Sequence, residues 1–399
     1  VSRSNRPPGF QTRAIHHGYD PLAHQGALVP PIFMTSTYAF ATSADSEAVA
    51  ALERPGPIYG REENPTQAIL EARLANLEGA EACVTFASGM GAVGSLMLTL
   101  LSQGDELLVH HTVYSNTFAL TQDALPRFGI TIVPVDMTDP AALDGVLSPR
   151  TKMVYFETPV NPTAEVLDIA AIAARARAMG AMVVVDSTFA SPALQRPLEH
   201  GAHLVLHSLT KYINGHGDLL GGAIAGDATT IARIRGHGLR YITGATISPM
   251  TAFLVLRGMK TLSLRMDRHG ATGQLVADML AAHPKVAEVR YPFLATDPGY
   301  PAARRQMTNG SGMLSFTLHS GGDGADRMMD ELRLIARAVS LGDAESLIMR
   351  PGSLWRGARR RDAGARMADG VGEAMLRLSI GLEDAEDVLA DLEQALEAA

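Results

Sequence analysis

Seven short apolar runs, at residues 82–87, 106–110, 130–135, 152–157, 181–186, 203–207 and 222–225, alternate with helix-forming stretches in this chain. Strand-length runs separated by helices favour parallel pairing, because each helical crossover returns the chain to the same edge of a sheet. The run Met182-Val183-Val184-Val185 shows no polar alternation, which predicts a strand covered on both faces. Among the intervening stretches, residues 65–77 repeat Ile69, Leu70, Leu74 and Leu77 at three- and four-residue spacing, and residues 167–179 close on Gly180. The expected architecture is α/β, a mainly parallel sheet with helices on both faces.

The flanks read differently. Up to about residue 60, Pro21, Gly26, Pro30, Pro31, Pro55, Gly56 and Pro57 punctuate the chain, and no long helical pattern survives between them. After Ser248 and Pro249 one long amphipathic helix is expected to reach Ala282. Strands at 286–291, 313–318 and 375–380 and an acidic helix from Glu383 follow. This pattern divides the 399 residues into an arm (1–62), an α/β domain (63–255) and a smaller α+β C-terminal domain (256–399). With 34 Lys and Arg against 42 Asp and Glu, the net charge of −8 shows no basic balance for nucleic acid. Cys83 is the only cysteine, so neither an intrachain disulfide nor a zinc–thiolate cluster can form. No apolar run approaches a membrane span, and Val1 to Gly9 hold no hydrophobic targeting core, so no membrane partner and a cytoplasmic location are expected. His110, His111, His207 and His216 show no acid or thiol at metal-ligand spacing. They read as structural, and no metal is expected.

Chemistry concentrates at three places. The segment Ser208-Leu209-Thr210-Lys211-Tyr212-Ile213-Asn214-Gly215 sets a lysine just after a strand, between hydroxyls and a glycine turn. That setting suits a lysine that captures an aldehyde. Asp186 ends a buried strand, at the sheet edge where α/β proteins bind ligands; taken alone it serves equally well as a helix N-cap. Ser88-Gly89-Met90-Gly91 follows another strand and opens a helix, whose free N–H groups suit an anion such as phosphate, although many strand-to-helix turns also hold glycine. Anion cradle, acid and lysine together describe a site for pyridoxal 5'-phosphate (PLP).

With these parts, the chain resembles the Cys/Met-metabolism family of PLP enzymes. The motifs are Tyr59-Gly60-Arg61 with Asn64-Pro65-Thr66, Ser88-Gly89-Met90, Glu157-Thr158-Pro159 with Asn161-Pro162, Asp186-Ser187-Thr188, the Lys211 segment, and Arg377-Leu378-Ser379-Ile380-Gly381. Within the family, Ser340-Leu341-Gly342-Asp343-Ala344-Glu345-Ser346 and Leu264-Arg265-Met266-Asp267-Arg268-His269 look most like methionine γ-lyase. The resemblance implies fold type I and a homo-oligomer, a dimer of dimers. Lys211 would hold the cofactor and move protons, and Asp186, beside Thr188, would face the pyridine nitrogen. Ser88, Gly89, Met90, Ser208 and Thr210 would bind phosphate, and Tyr59 and Arg61 would reach a neighbouring subunit's phosphate. Tyr114 would stack on the ring and protonate the leaving group. Arg377, Ser340 and Asn161 would clamp the α-carboxylate of an amino-acid substrate. The implied reaction is α,γ-elimination on a sulfur amino acid, giving a 2-oxo acid, ammonia and a thiol; γ-replacement and β-elimination share the machinery.

The chain departs from that branch where the far end of the substrate is recognised. Asn116 stands in place of a cysteine, Arg240-Tyr241 in place of a lysine–aspartate pair, and Leu354-Trp355-Arg356 in place of Met-Thr-His. Trp355 and Arg356 read either as a packing indole beside a solvated basic loop (Arg356 to Arg366) or as a substrate mouth reshaped for a bulkier or anionic γ-substituent. A non-catalytic scaffold would not need every cofactor position intact. A nicotinamide enzyme would need a fuller glycine fingerprint than Gly89 and Gly91 offer.

Overall fold

The computed structural model describes residues 7–361 and 371–399. Seven strands, β1 (Ala82–Phe86), β2 (Glu106–His110), β3 (Thr131–Val135), β4 (Thr151–Glu157), β5 (Met182–Asp186), β6 (Leu204–Ser208) and β7 (Gly222–Gly226), form one sheet in the order β1-β7-β6-β5-β4-β2-β3. The pairs β3·β2, β2·β4, β4·β5 and β5·β6 are parallel, and β7 runs antiparallel between β6 and β1. The apolar run in β5 divides between two cores because successive side chains point to opposite faces. Val184 packs with Val93, Leu96 and Met97 of the Gly89–Leu100 helix, whereas Val183 and Val185 pack with Ile169 and Ile172 of the Ile169–Ala178 helix.

The Pro65–Glu78 helix begins where the sequence marks a start. The Asn64 side chain accepts from Thr66 N–H, Pro65 occupies the first turn, and Gly79 ends the helix at φ 72°. Its partner further on differs from the expectation. The single long helix predicted after Pro249 is two helices, Pro249–Met259 and Leu262–Ala282. The break has a local cause. The Arg265 guanidinium donates to Gly258 O (3.0 Å) and its Nε to Thr261 Oγ1 (3.2 Å), so a side chain takes an acceptor at the end of the first helix.

A second sheet follows, in the order β10-β11-β12-β9-β8: β8 (Val286–Arg290), β9 (Met313–Leu318), β10 (Ala336–Arg337), β11 (Leu347–Met349) and β12 (Leu376–Ser379). It is antiparallel except for β10·β11, and its core includes Val276 and Leu280 of the Leu262–Ala282 helix and Val388 and Leu392 of the Ala385–Leu396 helix. The two- and three-residue strands β10 and β11 carry too short a pattern to be read from sequence.

The arm is pinned at its start, where Arg13 donates to Asn76 O (2.7 Å) and Gln11 to Lys260 O (2.6 Å). Beyond that it exposes large apolar side chains, with Leu22 at 86%, Leu28 at 83% and Leu52 at 91%. Among the described residues, no helix is long and apolar enough to cross a membrane.

Candidate active site

The C-terminal ends of β4, β5 and β6 bring Glu157, Asp186 and Ser208 to one edge of the first sheet, and Ser88 follows β1 at the head of its helix. Asp186 Oδ1 accepts from Thr188 N–H (3.0 Å) and Oγ1 (2.5 Å), and Tyr155 donates to Oδ2 at 3.4 Å. Thr188 Oγ1 in turn accepts from Ser208 N–H at 2.9 Å, which ties the Asp186 loop to the Lys211 segment. Burial pushes the Asp186 carboxyl up, and the Thr188 hydrogen bonds oppose that shift.

Ser88 caps its helix by accepting from Gly91 N–H at 3.0 Å, which leaves Gly89 and Met90 in the helix's open first turn. The turn lies against the Lys211 segment so closely that a Cβ on Gly89 would come within 3.2 Å of Ser208 Oγ. Thr210 Oγ1 accepts from Gly221 N–H at 3.1 Å, and the Met90 sulfur accepts from Thr117 Oγ1 at 3.8 Å.

Lys211 Nζ donates to Ser340 Oγ at 2.7 Å. Burial and the charge of Arg377 push the ammonium down to about 8, while Asp343 acts in the opposite direction. Arg377, 6% exposed on β12, donates from Nη1 to Asn161 Oδ1 (2.9 Å) and from Nη2 to Ser340 O (2.6 Å). Its Nε is buried without a partner, and burial lowers the guanidinium to about 10.

Glu157 is a site residue to which sequence reasoning assigned no role. Its carboxylate accepts from Tyr114 N–H (2.7 Å) and Asn161 N–H (3.4 Å), so it holds both backbones. It lies directly beside Asp186 in the β4·β5 register, and burial with the Asp186 charge pushes it well up. The signal was available, since Glu157 ends a buried strand just as Asp186 does. Tyr114 is 40% exposed, and its Oη accepts from Asn116 Nδ2 at 2.9 Å.

Other predicted residues lie apart from this hydrogen-bonded cluster. Arg61 stacks over its own Tyr59 at 5.1 Å, and its backbone carbonyl accepts from Thr246. Tyr241 is 68% exposed under Arg240. Trp355 is half-buried, and Arg356 lies 3.9 Å from Asp326 of the Gly321–Glu331 helix. Much of the basic run, residues 362–366, lies outside the described residues.

The histidines show no acid or thiol at metal-ligand spacing along the chain, but the fold brings acids to two of these sites in space. His207 Nε2 meets the Glu78 carboxylate at 2.5 Å. His110, His111 and Asp136 each place one ligand-type atom within 4.8 Å of the others, because β3 runs parallel to β2 and ends at the same edge. The Nδ1 atom of His110 already accepts from Met137 N–H at 3.1 Å.

The residues present fit PLP. An aldehyde would meet a half-buried lysine lowered to about 8, a phosphate would meet open N–H groups and hydroxyls, and a ring cation would meet Asp186. An α-carboxylate would satisfy the orphaned Arg377 Nε. Such a site on a mainly parallel sheet defines a PLP-dependent enzyme, and comparison with known proteins specifies which kind. The chain belongs to the Cys/Met metabolism PLP-dependent enzyme family, which it matches over residues 11–397. It is 49% identical to L-methionine gamma-lyase of Pseudomonas putida, with 99% of each chain covered. It is 39% identical to O-succinylhomoserine sulfhydrylase of Pseudomonas aeruginosa, over 98% of this chain and 95% of the relative. Among solved structures, cystathionine gamma-lyase of Lactobacillus plantarum complexed with L-serine superposes with a TM-score of 0.90 at 36% identity, covering 98% of this chain and 99% of that one.

Proposed function

We propose that this enzyme catalyses α,γ-elimination on a sulfur amino acid of the methionine type, releasing a thiol, a 2-oxo acid and ammonia. The observation that carries the reading is the meeting of Lys211, Ser340, Arg377 and Asn161 in one hydrogen-bonded cluster. An amino acid held by its carboxylate at Arg377 lies beside a base on Lys211. Full-length similarity to a methionine γ-lyase supports departure at the γ position. γ-Replacement is the second reading, favoured by the similarity to O-succinylhomoserine sulfhydrylase.

In this reading Lys211 would hold the cofactor's aldehyde, and its free amine would take the α-proton and carry protons between substrate carbons. Bound PLP supplies the electron sink that acidifies the α- and β-protons. Asp186, fixed by Thr188, holds the ring nitrogen. Ser88, Gly89, Met90, Ser208 and Thr210 hold the phosphate. Tyr114, whose backbone is held by Glu157 and whose hydroxyl accepts from Asn116, would stack on the ring and deliver a proton to the leaving group. Asn161 and Ser340 brace Arg377 on the carboxylate. Asn116, Tyr241, Trp355 and Arg356 belong to recognition of the γ-substituent. Tyr59 and Arg61 serve a neighbouring subunit, so the active form is at least a homodimer; the family resemblance extends this to a dimer of dimers, and the location in this reading is cytoplasmic. The exposed apolar arm supports this assembly. Division at residues 62 and 255 belongs to the same reading, and the separate five-stranded sheet supports it.

A substrate panel tests the proposal: methionine, cystathionine and O-acylated homoserines, with and without added thiol. Keto acid formed from methionine without a nucleophile is expected. Products that appear only with thiol would replace elimination by γ-replacement.

A further inference from the structure

The turn that carries Tyr59 and Arg61 is tied first to the arm itself, where Gly60 N–H donates to Ser36 O at 2.8 Å and Tyr59 pairs with Thr37 in an isolated antiparallel bridge. Side chains from a distant part of the chain then take its next two carbonyls. Thr246 Oγ1 donates to Arg61 O at 2.7 Å, and Arg235 Nη1 donates to Glu62 O at 3.0 Å. Residues 243–246 also abut the turn assigned to this subunit's own phosphate. Ala87 N–H donates to Ala245 O at 2.7 Å, Thr243 Oγ1 lies 2.8 Å from Ser95 Oγ, and a Cβ on Gly91 would stand 3.0 Å from Ala245 Cβ. One short segment therefore touches both the helix turn that would hold its own subunit's phosphate and the arm turn that would reach a neighbour's.

We propose that Thr246 is a positioning residue: through the Arg61 carbonyl it sets the arm turn from which Arg61 reaches the cofactor phosphate of the neighbouring subunit. The proposal rests on the reading that Arg61 acts across subunits. A long guanidinium side chain gives up rotamer freedom when it binds an anion, and a backbone free to move would add to that loss. A hydrogen bond to the carbonyl of Arg61 itself fixes the origin of the side chain and leaves only its own torsions to be ordered. The guanidinium lies over the Tyr59 ring at 5.1 Å, so both phosphate-directed side chains leave the same held turn. The Arg240–Glu62 ion pair (2.9 Å) reaches that turn too, but it is partly exposed and contributes little in water. Arg235 also binds the Glu71 carboxylate (2.7 Å) and Cys83 O (3.0 Å), so Thr246 is the position at which the tie can be cut alone.

Thr246→Val keeps the shape and removes the donor, whereas Thr246→Ser keeps the donor. Full-length protein is stripped of cofactor and titrated with PLP, and occupancy of Lys211 is read by borohydride fixation and peptide mass spectrometry. Loss of one hydrogen bond should raise the half-saturating PLP concentration about two- to twelvefold in Thr246→Val. Thr246→Ser should keep the wild-type value. Hybrids then locate the effect. Co-expressed Arg61→Ala and Lys211→Ala chains leave one kind of complete site, built from Lys211 of the first chain and Arg61 of the second. Thr246→Val on the chain that keeps Arg61 should raise the PLP requirement for activity by the same factor; on the chain that keeps Lys211 it should not. Unchanged half-saturation in Thr246→Val overturns the proposal. A rise from the Lys211-bearing chain also overturns it, because Thr246 would then act on its own phosphate turn. If Thr246→Val does not fold, Thr246→Ala is judged by the same outcomes. A hybrid with Thr246 intact that regains no activity refutes the cross-subunit reading of Arg61 instead, and the proposal falls with it.

Discussion

Arg377→Lys separates a carboxylate clamp from a general positive charge. The guanidinium uses Nη1 on Asn161 and Nη2 on Ser340 O, which leaves the buried Nε as the donor without a partner. A substrate carboxylate would take that Nε and a remaining Nη hydrogen as a two-pronged pair. Each charge-assisted hydrogen bond contributes about 1.5–3 kcal/mol, and an ammonium replaces one prong of the fork but not both. The loss of one prong corresponds to about a 10- to 150-fold rise in KM for methionine. Steady-state kinetics on cofactor-replete enzyme measure it, with absorbance titration by substrate as a second readout. An analogue lacking the α-carboxylate should be turned over poorly by the wild type and no worse by the variant. The pH dependence has a definite sign. The guanidinium, lowered to about 10 by burial, stays charged at neutral pH and loses its proton as pH rises through that value, so wild-type KM should climb there. A variant KM within threefold of wild type, with the cofactor retained, would refute the clamp.

Gly222→Ala would drive a Cβ to 2.8 Å from the Ser88 carbonyl carbon and 3.0 Å from Gly89 Cα, both backbone atoms of the phosphate turn. Thermal denaturation should show a midpoint several degrees lower and dialysis faster loss of PLP; no change in either would show that the turn yields. Arg61→Ala and Lys211→Ala chains should each be nearly inactive, yet recover activity when co-expressed, because a mixed dimer holds one site with both residues intact. Failure of mixed assemblies to recover would mean that Arg61 does not act across subunits.

Much of the fold was legible because burial on both faces leaves an uninterrupted apolar run. All seven expected strands of the first sheet are present, within a residue or so at each end. The break at Lys260 and Thr261 was not legible, since it depends on Arg265 reaching back to Gly258 O. Similarly, Lys211 and Asp186 stood out by their place at strand ends; Glu157 ends a strand in the same way, but its role became visible only in the hydrogen bonds it accepts from Tyr114 and Asn161.

Local chemistry written along the chain determined the elements, the lysine segment, the acid at the strand end and the glycine turn. Each depends on residues within one or two turns of one another. Tertiary structure alone decided which distant groups share an environment. Lys211 meets Ser340 across 129 residues, and Arg377 meets Asn161 across 216. Charge and burial at the site follow from those meetings, because desolvation and Coulomb interactions depend on distance in space rather than along the chain.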